Sequence, residues 1–261
     1  VHYSMGGLWV DYEADADGLL DRTSPKNHMT NIPGLYAVGE VDYQYHGANR
    51  LGANSLLSCI FGGMVTGPAM IEYTKNLDVA ASEVSSTIFD NAVKQWESYF
   101  DSIRKMQGKE NPFKLHQELG EEMIRTCTIV RENEELKKTL SFLDEIDARW
   151  NQCNVLDTGK PRNQSMQAIH QIKNMIELAK VIAKGALLRD ECRGSHLKND
   201  FKINQPKDTH SPEYQEFMET WKENNKKWLK TTIATYSETG PEISYEDVDT
   251  RSIEPVPRRY D

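Results

Sequence analysis

Ile32-Pro33-Gly34-Leu35-Tyr36-Ala37-Val38-Gly39-Glu40 and, after five intervening residues, His46-Gly47-Ala48-Asn49-Arg50-Leu51-Gly52-Ala53-Asn54-Ser55-Leu56-Leu57 form the stretch on which the fold turns. Pro33-Gly34 is a turn signal that feeds Leu35 to Val38, a short apolar run of strand type. Asn54 is placed to cap a helix carrying Leu56, Leu57, Ile60, Phe61 and Met64 and running on towards Tyr73. Residues 35–73 thus read as strand, loop, helix. Upstream, Leu8-Trp9-Val10 is a second candidate strand, separated from the first by a polar excursion from Asp11 to Asn31. Ten of the sixteen glycines fall in residues 1–75. Glycine permits positive φ and close backbone approach, so this density suggests a segment that cradles a ligand.

Beyond residue 78 the apolar period becomes helical. Phe89, Val93, Trp96, Phe100 and Ile103 recur at three or four, and Gly108 to Pro112 separates them from a second stripe. That stripe runs through Leu119, Met123, Cys127 and Val130 and continues through Leu136, Leu140, Leu143, Ile146 and Trp150. A third run, introduced by Pro161, carries Ile169, Ile172, Ile176, Ala179, Ala183 and Leu187. Three antiparallel helices with charged outer faces predict a small bundle. One more helix is expected from Pro212 to about Lys230, before a Pro- and charge-rich tail. The fold class expected is α+β: short strands plus a helix in a glycine-rich segment, a three-helix bundle, then an irregular carboxy-terminal tail. The boundaries are 1–76, 77–188 and 189–261.

Composition excludes several functions. Lys and Arg total 31 against 40 Asp and Glu, a net charge of −9, so no basic surface for nucleic acid is expected. The longest uncharged run, 51–71, contains four glycines, Asn54 and Pro68 and reads as too polar for a membrane span. Cys59, Cys127, Cys153 and Cys192 are scattered without a CxxC pair, which reads as reduced thiols and no metal site. Asp15-Ala16-Asp17-Gly18 lacks the remaining ligands of a calcium loop. The expectation is a soluble, acidic, intracellular chain.

Three clusters have chemical uses. Arg50, in a Gly-flanked loop, can grip a carboxylate through two parallel hydrogen bonds. The amides of Ser55 and Leu56, at a helix start, suit an anionic atom or a reduced aromatic cofactor that carries negative charge. His2 can donate to a second carboxylate, and Glu40, at a strand end, can accept from sugar hydroxyls.

Taken in order, His2-Tyr3-Ser4-Met5-Gly6-Gly7, the Ile32 to Glu40 stretch and the His46 to Leu57 stretch resemble the succinate dehydrogenase/fumarate reductase flavoprotein subunit. Arg193-Gly194-Ser195-His196 resembles that family's Arg-Gly-Ala-His segment. Trp228-Leu229-Lys230-Thr231 resembles its Trp-Leu-Lys-His-Thr element with the histidine missing. The resemblance implies that the first part is the remainder of a FAD-binding α/β domain, with FAD as cofactor held partly by Glu40, Ser55 and Leu56, and succinate or fumarate gripped by His2 and Arg50. It also implies an iron–sulfur subunit and a membrane anchor subunit as partners, and a place on the inner face of the cytoplasmic membrane through them. No Gly-x-Gly-x-x-Gly fingerprint occurs. The family's flavin-bonding histidine and proton-shuttling arginine are missing too, and in the family all three lie upstream. The chain therefore reads as the carboxy-terminal portion of a longer flavoprotein, inactive alone and with no catalytic residue of its own. Two other readings stay open: L-aspartate oxidase, whose Arg50-type loop is similar, and a non-catalytic helical docking module.

Overall fold

The computed structural model describes residues 3–159 and 161–258; His2 lies outside them. The chain divides into two compact units, Val1–Phe89 and Asp90–Asp261. Among the described residues the architecture is mixed, with six α-helices and two small antiparallel sheets.

In the first unit the two expected strands are reduced to isolated bridges. Leu8 pairs in parallel with Asp42, and Met29 pairs antiparallel with Tyr36. Short hydrogen bonds extend this patch, from Asp11 N to Met29 O at 2.8 Å and from Ala37 N to His28 O at 3.0 Å. No ladder grows, because the Ile32–Leu35 turn lies at one end of Leu35 to Val38 and Gly39, at φ +78°, bends the chain at the other. A single-turn 3-10 helix, Gly39–Val41, follows, and then α1 (Asn54–Lys75) packs against that turn. The close approach requires Gly62: a Cβ there would stand 2.3 Å from Val38 Cγ2.

Helix α1 overturns the expectation that residues 51–71 are too polar. An 18-residue window within its 22 residues reaches a mean hydropathy of 1.3, enough by length and composition to cross a membrane, and 28% of that window is buried. Leu56, Leu57, Ile60, Phe61, Met64, Met70 and Ile71 outweigh its small and polar positions, and all seven are exposed. The same apolar face equally suits burial inside a protein.

The second unit is built on α2 (Ser86–Arg104, which begins at the end of the first unit), α3 (Pro112–Cys127), α4 (Asn133–Trp150) and α5 (Gln164–Leu188). Helices α3, α4 and α5 pack on one another around Leu115, Leu119, Leu143, Ile146, Ile169 and Ile176. The Trp150 indole, inside this core, donates to Ile169 O at 2.8 Å, which satisfies its buried N–H. Helix starts follow local chemistry: Asn111 Oδ1 accepts from Phe113 N with Pro112 in the first turn, and Asn163 Oδ1 accepts from Met166 N. The continuous stripe expected from Leu119 to Trp150 is instead two helices. The β-branched Thr128, Ile129 and Val130 leave the helix, and Arg131 N and Leu197 N exchange backbone bonds with Leu197 O and Ile129 O.

After α5 come β1 (Cys192–Arg193) and β2 (His196–Leu197), turned at Gly194, and then α6 (Pro212–Trp228), whose amino end Ser211 caps. The expected irregular tail is in part a hairpin. β3 (Lys230–Thr235) and β4 (Glu242–Asp247) pair antiparallel in the register Lys230 with Asp247 to Thr235 with Glu242. The reason is local: Thr231, Thr232, Ile233 and Thr235 favour the extended state, Ile243 and Tyr245 alternate with polar residues, and Gly240 turns at φ +112°.

Candidate functional site

The amino end of α1 is open. Ala53 precedes it in the left-handed conformation, φ +66° and ψ −12°, and no side chain caps the helix. The expected cap, Asn54, is already the first helical residue, its N–H donating to Leu51 O at 3.3 Å. The left-handed step at Ala53 turns the chain one residue early, so the Asn54 side chain does not fold back onto the first turn. The amides of Ser55 and Leu56 have no acceptor within the helix, and the positive end of the helix dipole stands behind them. Leu56 is 73% exposed, and open space surrounds the positions a Cβ would take at Gly47 and Gly52.

Arg50 is half-buried in the loop before this helix. Its backbone N–H donates to Met5 Sδ at 2.9 Å, and its Nη1 donates to Leu51 O at 3.3 Å. The guanidinium carbon lies 5.3 Å from the centre of the Tyr3 ring, a cation–π distance. Tyr3 and His46 meet edge to face at 5.1 Å, and His46 Nε2 reaches both Tyr3 Oη, at 3.2 Å, and Ser58 Oγ, at 3.1 Å. Ser58 in turn donates to Ser55 O at 2.8 Å. An unbroken line of contacts therefore runs from the Arg50 guanidinium through Tyr3, His46 and Ser58 to Ser55 in the first turn of α1.

Glu40 is held differently. It is exposed, and its Oε1 accepts from Ser4 N at 2.7 Å, which ties it to the amino-terminal segment that carries Tyr3. Two residues further on, the buried Asp42 carboxylate lies 3.2 Å from His28 Nδ1, and His28 Nε2 meets Tyr45 Oη at 2.7 Å. Burial, helped by the Asp42 charge, pushes the Tyr45 hydroxyl well above its ordinary range, so it stays protonated. Sequence reasoning gave no role to Tyr3, Met5, His28, Asp42, His46 or Ser58. His28 carried one usable signal: histidine is enriched among the non-glycine residues that tolerate positive φ, and His28 sits at φ +66°.

Residues 116–260 match the family described as fumarate reductase flavoprotein C-term, more than half of the chain, and residues 1–56 match an FAD binding domain. The chain belongs to the succinate dehydrogenase/fumarate reductase flavoprotein family. It is 44% identical over 262 residues to the succinate dehydrogenase flavoprotein subunit of Bacillus subtilis, covering 100% of this chain and 39% of that protein. Against the fumarate reductase flavoprotein subunit of Haemophilus influenzae it is 29% identical, covering 100% of this chain and 38% of the relative. A quinol–fumarate reductase solved with menaquinol molecules superposes with a TM-score of 0.73 at 26% identity, over 97% of this chain and 38% of that one. The chain thus spans about two fifths of the length of these succinate dehydrogenase/fumarate reductase flavoproteins.

Within this flavoprotein chain the Arg193 to His196 segment forms a second polar cluster, in the other unit. Glu191 is fully buried; Arg189 Nε donates to it at 2.7 Å, Arg193 Nη2 at 2.9 Å and Asn224 Nδ2 at 3.2 Å. Arg189 also donates to the carbonyls of Trp228 and Lys230, so the Trp228 to Thr231 segment serves here as an anchor for β3. His196 Nδ1 accepts from Arg131 Nη1 at 2.7 Å while Nε2 faces Arg189 O at 2.8 Å. Burial first, then the Arg131 and Lys198 charges, lower His196 to about 4. All four cysteines are free thiols, and no group of three metal-ligating side chains occurs among the described residues. Asp15 Oδ1 accepts from the amides of Asp17 and Leu19, which closes a turn.

Proposed function

We propose that the chain is the carboxy-terminal part of the flavoprotein subunit of a succinate:quinone oxidoreductase. The observation that carries this reading is Arg50 registered, through Tyr3, His46 and Ser58, onto an α1 amino terminus that no side chain caps. The residues fit FAD at this point, since exposed first-turn amides, open space at Gly52 and an exposed Glu40 carboxylate offer donors to a ring edge and an acceptor to sugar hydroxyls. FAD supplies hydride transfer between succinate and fumarate when bound. Arg50 holds one substrate carboxylate through its planar fork, and His2 donates to the other. The Ser55 and Leu56 amides favour negative charge on the ring they face. Holding both ends of a four-carbon dicarboxylate is catalysis by positioning.

In this reading residues 1–76 carry the cofactor side of the site, and the helical domain of residues 77–188 together with the carboxy-terminal helix and tail of residues 189–261 accompanies docking of an iron–sulfur subunit that passes electrons on to quinone. A membrane anchor subunit holds the assembly peripherally on the inner face of the cytoplasmic membrane. The apolar face of α1 is covered by the rest of the flavoprotein, which the greater length of the relatives supports. The 261-residue chain alone is inactive.

Arg50→Lys in the full-length flavoprotein tests the reading. Losing one charge-assisted hydrogen bond of the fork weakens succinate binding by about 2 kcal/mol, roughly 30-fold. Unchanged succinate affinity would remove Arg50 from the site.

A further inference from the structure

We infer that Tyr3 is a positioning residue for the Arg50 guanidinium, its ring face seating the charge and its hydroxyl holding that face in place. The inference rests on the reading of Arg50 as the carboxylate clamp. A guanidinium can bind a carboxylate through two parallel bonds only if its plane is already set. The contacts at Met5 Sδ and Leu51 O fix the root and one edge of Arg50. The Tyr3 ring, 5.3 Å from the guanidinium carbon, supplies the face.

The hydroxyl network shows why the ring itself does not turn. Ser58 gives its only hydroxyl proton to Ser55 O at 2.8 Å, so Ser58 Oγ is left as an acceptor. His46 Nε2, 3.1 Å from that oxygen, must then carry a proton, and the same N–H points at Tyr3 Oη, 3.2 Å away. Tyr3 Oη–H completes the triangle by donating to Ser58 Oγ at 3.4 Å. Tyr3 is thereby fastened to the first two turns of α1, and Arg50 is set relative to the same turns that carry the Ser55 and Leu56 amides. Clamp and helix end are one unit, so the substrate carboxylate and the group at the helix end keep a constant separation.

The test measures malonate, a dicarboxylate that cannot be oxidised by loss of two vicinal hydrogens, by calorimetry on the full-length flavoprotein with its flavin bound. Tyr3→Leu is expected to weaken malonate about tenfold, and Tyr3→Phe, which restores the ring, to recover most of that loss. Phenylalanines with increasing ring fluorination at position 3 keep the shape and drain charge from the face, so affinity falls stepwise with each fluorine. A purely structural role would not respond to that series. A flat fluorine series, or Tyr3→Phe binding as weakly as Tyr3→Leu, overturns the inference. If Tyr3→Leu loses its flavin, the fluorine series decides alone. Arg50→Lys is measured alongside: unchanged malonate affinity there would refute the clamp itself. A loss at Arg50 with a flat series at position 3 would refute only the role of Tyr3.

Discussion

Arg189→Met tests how the β3–β4 hairpin is fastened. The Arg189 side chain is mostly buried, and it donates to Glu191 Oε1 at 2.7 Å, Lys230 O at 2.9 Å, Thr232 Oγ1 at 3.0 Å and the Trp228 carbonyl, while its guanidinium stacks 5.6 Å from the Trp228 ring centre. Methionine keeps much of the stem and removes every donor. Breaking a buried ion pair by deleting one partner costs about 3–5 kcal/mol. Glu191 keeps Arg193 and Asn224, which places the loss near the lower end, about 3 kcal/mol. If the hairpin amides exchange by local opening, that loss accelerates hydrogen exchange over Lys230–Thr235 roughly 150-fold. Mass-spectrometric exchange on peptides covering residues 229–247 reads it directly. Arg125→Met is the control: Arg125 pairs with Glu122 and Glu135 at a solvent-screened surface away from β3 and β4, and the hairpin should not respond. Protection of Lys230–Thr235 unchanged in Arg189→Met would refute the argument.

Two more outcomes follow from the same geometry. His196, lowered from an ordinary 6.5 to about 4, stays neutral in the fold while the unfolded chain protonates, so stability is lost as pH falls from 6.5 towards 4, by about 3 kcal/mol in full. Urea titrations at pH 7 and pH 4.5 should show that loss shrinking in His196→Gln, and an equal loss in both proteins would contradict the assignment. Gly62→Ala drives a methyl to 2.3 Å from Val38 Cγ2, so α1 must shift off the Val38 segment at a cost of about 1–3 kcal/mol; an unchanged melting temperature would show that the contact is slack.

The sequence was most legible where one element suffices. The stripes of α3, α4 and α5 and the loop from His46 to Leu57 could be read because helix period and glycine placement are local. The α3–α4 break was hidden because Cys127 and Val130 keep the apolar period while the backbone departs to pair with Leu197. The hairpin was masked by Pro241 and the charges around it, although the threonines of β3 were visible. The Asn54 cap failed because a left-handed Ala53 has no side-chain signature. Tyr3, His46 and Ser58 come from positions 43 and 12 residues apart, and only the packed first unit brings them onto one helix turn. The buried Glu191 and Lys198 look like any surface charges until the arginines and Asp190 that neutralise them are seen.

The proposed role of this chain's clamp and helix end is to hold succinate or fumarate against a flavin. Anaerobic bleaching of the flavin in the full-length flavoprotein, compared between succinate and L-aspartate, tests it most directly. Bleaching by succinate and none by L-aspartate is expected; bleaching by L-aspartate alone would contradict the assignment and move the activity to an amino-acid oxidase.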